Sequence, residues 1–258
     1  MGQERLNPGA IQIGALLGVF IGTRGVEGQI IRRLQRDHIV RRRAAARQVL
    51  RDVSFAIPAG GTLGVVGATG AGKSALLELI PRFFDPQSGQ VLLDGVDVRA
   101  LSLAALRAEI GFVPQDALLF SDTIAQNLAY GGGAPDSVRR ATEVAQLAGS
   151  LDRFANGAET MLGERGINLS GGQKQRATIA RALAREPAVV VLDDALSAVD
   201  THTEAEILRG LREALSGRTA LIASHRVTAL REATWIIVLD EGAVVEQGTH
   251  EQLVERRG

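Results

Sequence analysis

The distribution of apolar and polar positions changes character along the chain. From Leu6 to Thr23 no residue is charged, and residues 11–21 are nearly all apolar. Gly14, Gly18 and Gly22 recur every four residues, a spacing that would set them along one helical face where another helix can approach closely. A spanning helix needs about 20 apolar residues. This stretch is shorter and contains Pro8, so it is not expected to span alone. An arginine-rich segment follows, with Arg32, Arg33, Arg36, Arg41, Arg42, Arg43 and Arg47 against the single acid Asp37. Basic residues just after an apolar stretch suit the cytoplasmic side of a membrane. A disordered tail or a solvated helix face is the plainer reading of the same residues.

From Val49 onward the periodicity is that of alternating strands and helices. Residues 49–57 alternate well enough for one strand. Residues 62–66 form a short apolar run leading into a glycine-rich loop, and residues 72–80 then read as a helix halted by Pro81. Residues 90–93 are a further strand ahead of the turn signal Asp94-Gly95, and residues 110–113 another. Residues 122–185 are mostly helical. After Pro187, Ala188-Val189-Val190-Val191-Leu192 is a continuous apolar run of the kind found in a central parallel strand. A helix at 203–215 and strands at 219–223 and 235–239 follow. This alternation predicts an α/β fold, a parallel sheet wrapped by helices, with the helical block as an insertion.

Composition narrows the partners. The 29 basic residues balance the 29 acidic ones, so net charge selects no class of ligand. Aromatics make up 3% of the chain, too few for a base-stacking surface, so no nucleic-acid partner is expected. The absence of cysteine excludes disulfides and cysteine-ligated zinc and fits a reducing compartment. The apolar N-terminal stretch lacks the basic lead-in and small-residue cleavage site of a secretory signal.

Two local patterns carry chemistry. Gly67-Ala68-Thr69-Gly70-Ala71-Gly72-Lys73-Ser74 lies between a predicted strand and a predicted helix, the context in which a glycine loop cradles phosphate. Its glycines let backbone N–H groups converge on phosphate oxygens, and the helix adds its positive end. Lys73 would supply charge to the β- and γ-phosphates, and Ser74 a hydroxyl ligand for Mg²⁺. The apolar run ends in Asp193-Asp194, at the strand edge where ligands of such sheets bind. Asp193 is the expected partner of Mg²⁺ through water, and Asp194 the candidate base for an attacking water.

Together with Gln115, Leu169-Ser170-Gly171-Gly172-Gln173, Ser197-Ala198-Val199-Asp200 and Ser224-His225, these motifs resemble, in order, the nucleotide-binding domain of ATP-binding-cassette transporters of the exporter type. The resemblance covers residues 49–258 and extends to Phe84-Asp85-Pro86 and Gln247-Gly248-Thr249-His250. It implies a P-loop NTPase, a RecA-like parallel sheet core with an antiparallel portion and an inserted helical subdomain at about residues 116–185. The expected division is an apolar, arginine-rich segment at residues 1–47, the remnant of a transmembrane domain, and an ATP-binding domain at 48–258. ATP and Mg²⁺ are the implied cofactors, with Gly67, Thr69, Gly70, Gly72, Lys73 and Ser74 on the nucleotide. Gln115 would touch Mg²⁺ or the attacking water, and His225 the γ-phosphate. Ser170, Gly171, Gly172 and Gln173 would face nucleotide held by a second such domain, and Asp200 would reach across that dimer. The implied setting is the cytoplasmic face of the cell membrane, beside transmembrane subunits.

Departures from the family pattern matter as much. The usual base after the strand aspartate is glutamate, and here it is Asp194. Losing one methylene withdraws the carboxylate by roughly 1.5 Å, and a displacement of about 1 Å can cost ~100-fold in rate. The implied site binds ATP and turns it over slowly, which resembles one half of the asymmetric, heterodimeric exporters. Arg41, Arg42 and Arg43 stand where the family carries an aromatic stacked on adenine, and Met161 where exporters often carry glutamate. Cassette proteins of DNA repair place a long coiled coil between loop and signature, for which Ser74 and Leu169 are too close.

Overall fold

The computed structural model describes residues 11–14, 40–41, 48–163, 169–226 and 229–256. Gly18, Gly22 and the arginine run except Arg41 lie outside them.

The core is a six-stranded sheet in the order β12-β11-β5-β10-β9-β8, formed by β5 (Thr62–Gly67), β8 (Ile110–Val113), β9 (Val189–Asp193), β10 (Thr219–Ala223), β11 (Trp235–Asp240) and β12 (Ala243–Gly248). All but the edge strand β12 run parallel. The unbroken apolar run of β9 follows from its surroundings. Val190 and Leu192 join one hydrophobic cluster with Ala220, Ile222 and Ile236, while Val189 and Val191 join a second with Leu221, Ala223 and Ile237. Both faces of the strand are covered, so neither parity of its side chains can be polar.

One face packs against helix α1 (Lys73–Glu78) and a smaller antiparallel sheet. That sheet has the order β4-β1-β6-β7, from β1 (Ile11–Gly14), β4 (Phe55–Ile57), β6 (Gln90–Leu93) and β7 (Val96–Asp97). Leu93 pairs with Val96 across Asp94-Gly95, both at positive φ, which is the two-residue turn whose twist matches a hairpin. The other face packs against α3 (Ile124–Ala129), α4 (Pro135–Val144), α6 (Gly171–Ala184) and α7 (Thr201–Ala214). Two short helices, α2 (Leu103–Ala108) and α5 (Ala148–Leu151), and the C-terminal α8 (His250–Glu255) complete the described α-helices. This is the mostly parallel core, antiparallel portion and interspersed helical subdomain of a RecA-like P-loop NTPase.

Two expectations are corrected. Ile11–Gly14 is a strand, not part of a helix. It fills the gap between β4 and β6, with Gln12 opposite both Ala56 and Leu92. A strand slot open on both sides satisfies backbone groups from two directions. Nothing in a four-residue glycine spacing reveals it. Residues 49–57 are two strands rather than one. The chain breaks at Asp52, whose φ is 50°, so that β3 (Gln48–Leu50) pairs with β2 (Val40–Arg41) while β4 pairs with β1. Strand β12 was not anticipated, its Ala-Val-Val-Glu-Gln-Gly run being short and half polar.

Arg181 of α6 ties the helical block to the loop after β8. Its guanidinium donates to the Leu118 and Asn127 carbonyls and to Asn127 Oδ1 at 2.8–2.9 Å. It also lies 5.2 Å from the Phe120 ring centroid. Asn127 is itself buried and bonds both the N–H and the carbonyl of Phe120. Replacing Arg181 by Leu orphans these acceptors. Urea unfolding is expected to show a loss of about 2 kcal/mol, the scale for charged hydrogen bonds at partly buried acceptors.

Candidate functional site

Parallel strands end on the same edge of a sheet, and this brings distant residues together. The C-terminal ends of β5, β8, β9 and β10 deliver, respectively, the loop that opens with Gly67, Gln115, Asp193-Asp194 and His225 to one cleft of about 510 Å³. Thr69, Gly70, Gly72, Lys73, Ser74, Gln115, Asp193, Asp194 and His225 all line it. Strand ends at a parallel edge are where such folds hold ligands.

The loop is shaped by its neighbours. Gly72 precedes α1 at φ 107°, and a Cβ there would come within 2.9 Å of Leu50 Cδ2. Any L side chain would therefore be strained and crowded at once. Lys73 opens the helix and folds back over the loop. Its Nζ donates to the Gly67 carbonyl at 2.7 Å and the Ala68 carbonyl at 3.1 Å. Only 7% of Lys73 is exposed. Burial depresses its pKa below the ordinary lysine value, and the Asp194 and Asp193 carboxylates pull it back up.

Asp193 is 4% exposed. Burial raises its pKa, with the Ser74 hydroxyl hydrogen bond and Lys73 opposing. Asp194 takes a left-handed conformation at φ 46°, which a short acidic residue tolerates better than most. Its N–H bonds the Ala223 carbonyl, which pins the end of β9 to β10. His225 Nε2 lies 4.0 Å from Asp194 Oδ2. Ser74, Gln115 and Asp193 line the same cleft, and their oxygens are a hard donor set of the kind Mg²⁺ takes alongside waters and substrate oxygens.

The other predicted residues are held elsewhere. Ser170, Gly171, Gly172, Gln173 and Asp200 do not line the cleft. Ser170 caps α6, its Oγ accepting from the Gln173 N–H at 3.2 Å while the Gln173 side chain accepts from the Ser170 N–H at 2.9 Å. Asp200 caps α7 by accepting from the Thr203 N–H at 3.0 Å. Thus a single chain presents two separate features, a cradle and an exposed helix turn. Sequence reasoning missed Val49, Glu78 and Phe112, which also line the cleft, and Arg226, which follows His225 and ion-pairs with the buried Glu204 of α7. No local pattern marks these residues; the sheet and α7 bring them in.

Comparison with known proteins agrees with this geometry. Residues 50–197 match the family model described as ABC transporter. The Beta-(1-->2)glucan export ATP-binding/permease protein NdvA of Rhodopseudomonas palustris is 48% identical over 216 residues, 82% of this chain and 36% of the relative. An ATP-dependent lipid A-core flippase of Vibrio vulnificus is 44% identical over 217 residues, 83% of this chain and 37% of the relative. Among solved structures, a bacterial Atm1-family ABC exporter with ATP bound superposes with a TM-score of 0.85 at 37% identity, over 98% of this chain and 41% of that one. The chain therefore spans little over a third of the length of the curated relatives it matches.

Proposed function

This chain belongs to the ABC transporter family, and we propose that it is the ATP-binding and hydrolysing domain of an exporter. The observation that carries this reading is the separation within one chain of a complete phosphate cradle from an exposed, capped helix turn. The cradle has a charged lysine and acidic strand end but no lid. The turn of Ser170, Gly171 and Gly172 presents the positive end of α6 but has no cradle beside it among the described residues. Two cassettes arranged head to tail make good both deficits, each cradle meeting the other's turn.

In this reading ATP sits in the cleft with its β- and γ-phosphates on the loop N–H groups and Lys73. Mg²⁺, when bound at Ser74 and through water at Asp193 with Gln115 alongside, would neutralise charge on the phosphate oxygens. Asp194 orients the attacking water and takes its proton, and His225 donates to the γ-phosphate. Ser170, Gly171 and Gly172 of the opposite cassette close over the γ-phosphate, and charge-assisted hydrogen bonds there favour the closed pair. Hydrolysis removes those contacts and the pair opens, a population shift that attached transmembrane subunits convert into export. No helix among the described residues is long and apolar enough to cross a membrane. On its likeness to the ATP-binding portion of exporters, the domain is assigned to the cytoplasmic face, beside transmembrane partners. The division at residue 47 and the membrane-facing role of the arginine-rich segment belong to the same proposal.

Asp194 favours a second reading, in which this cassette binds ATP in a heterodimeric transporter but hydrolyses it slowly, its role there structural and regulatory. Its signature turn would still complete a faster site on the partner.

The absence of cysteine makes the pairing testable. Introduced cysteines at Thr69 and Ser170 should yield a disulfide-linked pair under saturating ATP and none without nucleotide. Capture of the chain with itself fits a homodimer, and capture only with a related cassette fits the second reading. If neither forms, the sandwich is wrong.

A further inference from the structure

The turn that would act as a lid is tied to the loop that follows the acidic strand end of the same chain. Gln175 lies in the second turn of α6 and is 5% exposed. Its side-chain amide grips the exposed loop after β9 with both ends. Nε2 donates to Ser197 Oγ at 2.9 Å, and Oε1 accepts from the Ala198 N–H at 2.8 Å. The first turn of α6 rests on the same loop. A Cβ at Gly172 would come within 2.8 Å of the Ala198 carbonyl oxygen, and one at Gly171 within 3.4 Å of the Ala198 methyl.

From the other side, that loop is anchored to the acidic strand end and to the residue after His225. The Ser197 N–H donates to the Asp194 carbonyl at 3.2 Å. Arg226 donates to the Val199 carbonyl at 3.3 Å and ion-pairs with Glu204, which is 3% exposed. Arg226 also bonds Ser224 Oγ through its N–H at 3.0 Å. Residues 197–199 are therefore clamped between the cleft and the lid turn, and Gln175 supplies the lid end of the clamp through its side chain.

We infer that Gln175 is a positioning residue: through residues 197–199 it fixes the placement of Ser170, Gly171 and Gly172 against the loop that follows Asp194 in the same chain. The inference rests on the head-to-tail reading above for its functional consequence, and on the geometry alone for the clamp. Gln175 touches neither nucleotide nor any group assigned to the chemistry. Because Ser197 and Ala198 are exposed, water can satisfy their groups when the amide is lost, so the stability cost is small. What is lost is the fixed placement of the turn, and misplacement is costly where closure must align donors with a phosphate.

The test uses the full chain and two variants. In Gln175→Met both hydrogen bonds go while the volume is roughly kept. In Gln175→Glu they can be re-made. A carboxylate accepts from both the Ala198 N–H and the Ser197 hydroxyl, and a neutral carboxyl group donates to one and accepts from the other. Amide hydrogen exchange at Ala198, read without nucleotide, is expected to accelerate about tenfold in Gln175→Met and to recover in Gln175→Glu. Steady-state hydrolysis of Mg-ATP is expected to show kcat down about tenfold in Gln175→Met with KM within about twofold, and again recovery in Gln175→Glu. Unchanged Ala198 exchange in Gln175→Met overturns the clamp. Accelerated exchange with unchanged kcat, or a fall in kcat matched by loss of the fold in thermal melts, overturns the positioning role. A parent chain that neither hydrolyses ATP nor pairs in its presence refutes the head-to-tail reading, and with it the functional half of this inference, while the exchange result still decides the clamp.

Discussion

Lys73→Ala is expected to weaken ATP binding by roughly a hundredfold or more. The ammonium lies at the mouth of the cradle, held by the Gly67 and Ala68 carbonyls and flanked by Asp193 and Asp194. Burial lowers its pKa below the ordinary lysine value, and the Asp194 and Asp193 carboxylates act in the opposite sense. Bound phosphate would add further negative charge beside Nζ, which can exchange its carbonyl partners for phosphate oxygens. Two charge-assisted hydrogen bonds to a phosphate, at about 1.5–3 kcal/mol each, account for an effect of that size. The measurement is the Kd of a fluorescent ATP analogue by anisotropy, with a thermal melt alongside. The melt matters because Lys73 also bonds the loop it belongs to. Lys73→Arg provides the second arm. It keeps the charge but cannot present it as a compact point within the loop, so it should bind more weakly than the parent and more tightly than the alanine variant. A Kd equal to that of the parent in Lys73→Ala, in a folded protein, would falsify the phosphate role of Lys73.

Asp194→Glu is expected to raise turnover by about 10- to 100-fold, with ATP affinity nearly unchanged. Reach is what limits the aspartate. The side chain is one methylene short of the glutamate found in the resembling exporters, and a displacement near 1 Å of a group that orients water costs on the order of 100-fold. The structure adds a constraint. Asp194 sits at φ 46°, with its N–H on the Ala223 carbonyl, so its backbone position is set by β9 and β10 and cannot shift to compensate. The carboxylate must reach by its side chain alone. Glutamate is less at ease in the left-handed region, so a slightly lower melting temperature should accompany the gain. Single-turnover kinetics separate chemistry from product release. A large gain supports a cassette that binds ATP as the slower half of a pair. No gain returns the assignment to an ordinary, self-sufficient exporter ATPase.

Much of the architecture was legible locally. The five parallel strands each carry apolar side chains on both parities, so the sequence pattern and the burial agree, and the run at residues 188–192 lands within one residue of β9. The glycine loop between strand and helix was equally plain. The misreadings share one cause. β1 pairs with Phe55–Ile57 and with Gln90–Leu93, far along the chain, and β12 pairs with β11 across a two-residue turn at an exposed edge. Short strands of this kind take their hydrogen bonds from distant or edge partners and need little hydrophobic alternation of their own. The break at Asp52 leaves only a faint local mark: Val53, Phe55 and Ile57 alternate, Leu50 and Arg51 interrupt the pattern, and nothing in it says that the two halves belong to different sheets.

By itself the order of residues determined which groups could meet a triphosphate: a glycine loop ending in Lys73 and Ser74, an acidic pair after a buried strand, and a capped turn at Ser170. Those are properties of short segments, where backbone freedom, charge and capping act within a few residues. Only the tertiary structure decided which of them share a space. Parallel strand ends bring Lys73, Asp193, Asp194, Gln115 and His225 to one edge, while α6 carries Ser170, Gly171 and Gly172 away from it. The grip of Gln175 on Ser197 and Ala198 belongs to the same class of fact, because a side-chain hydrogen bond across more than twenty residues exists only after both segments are packed.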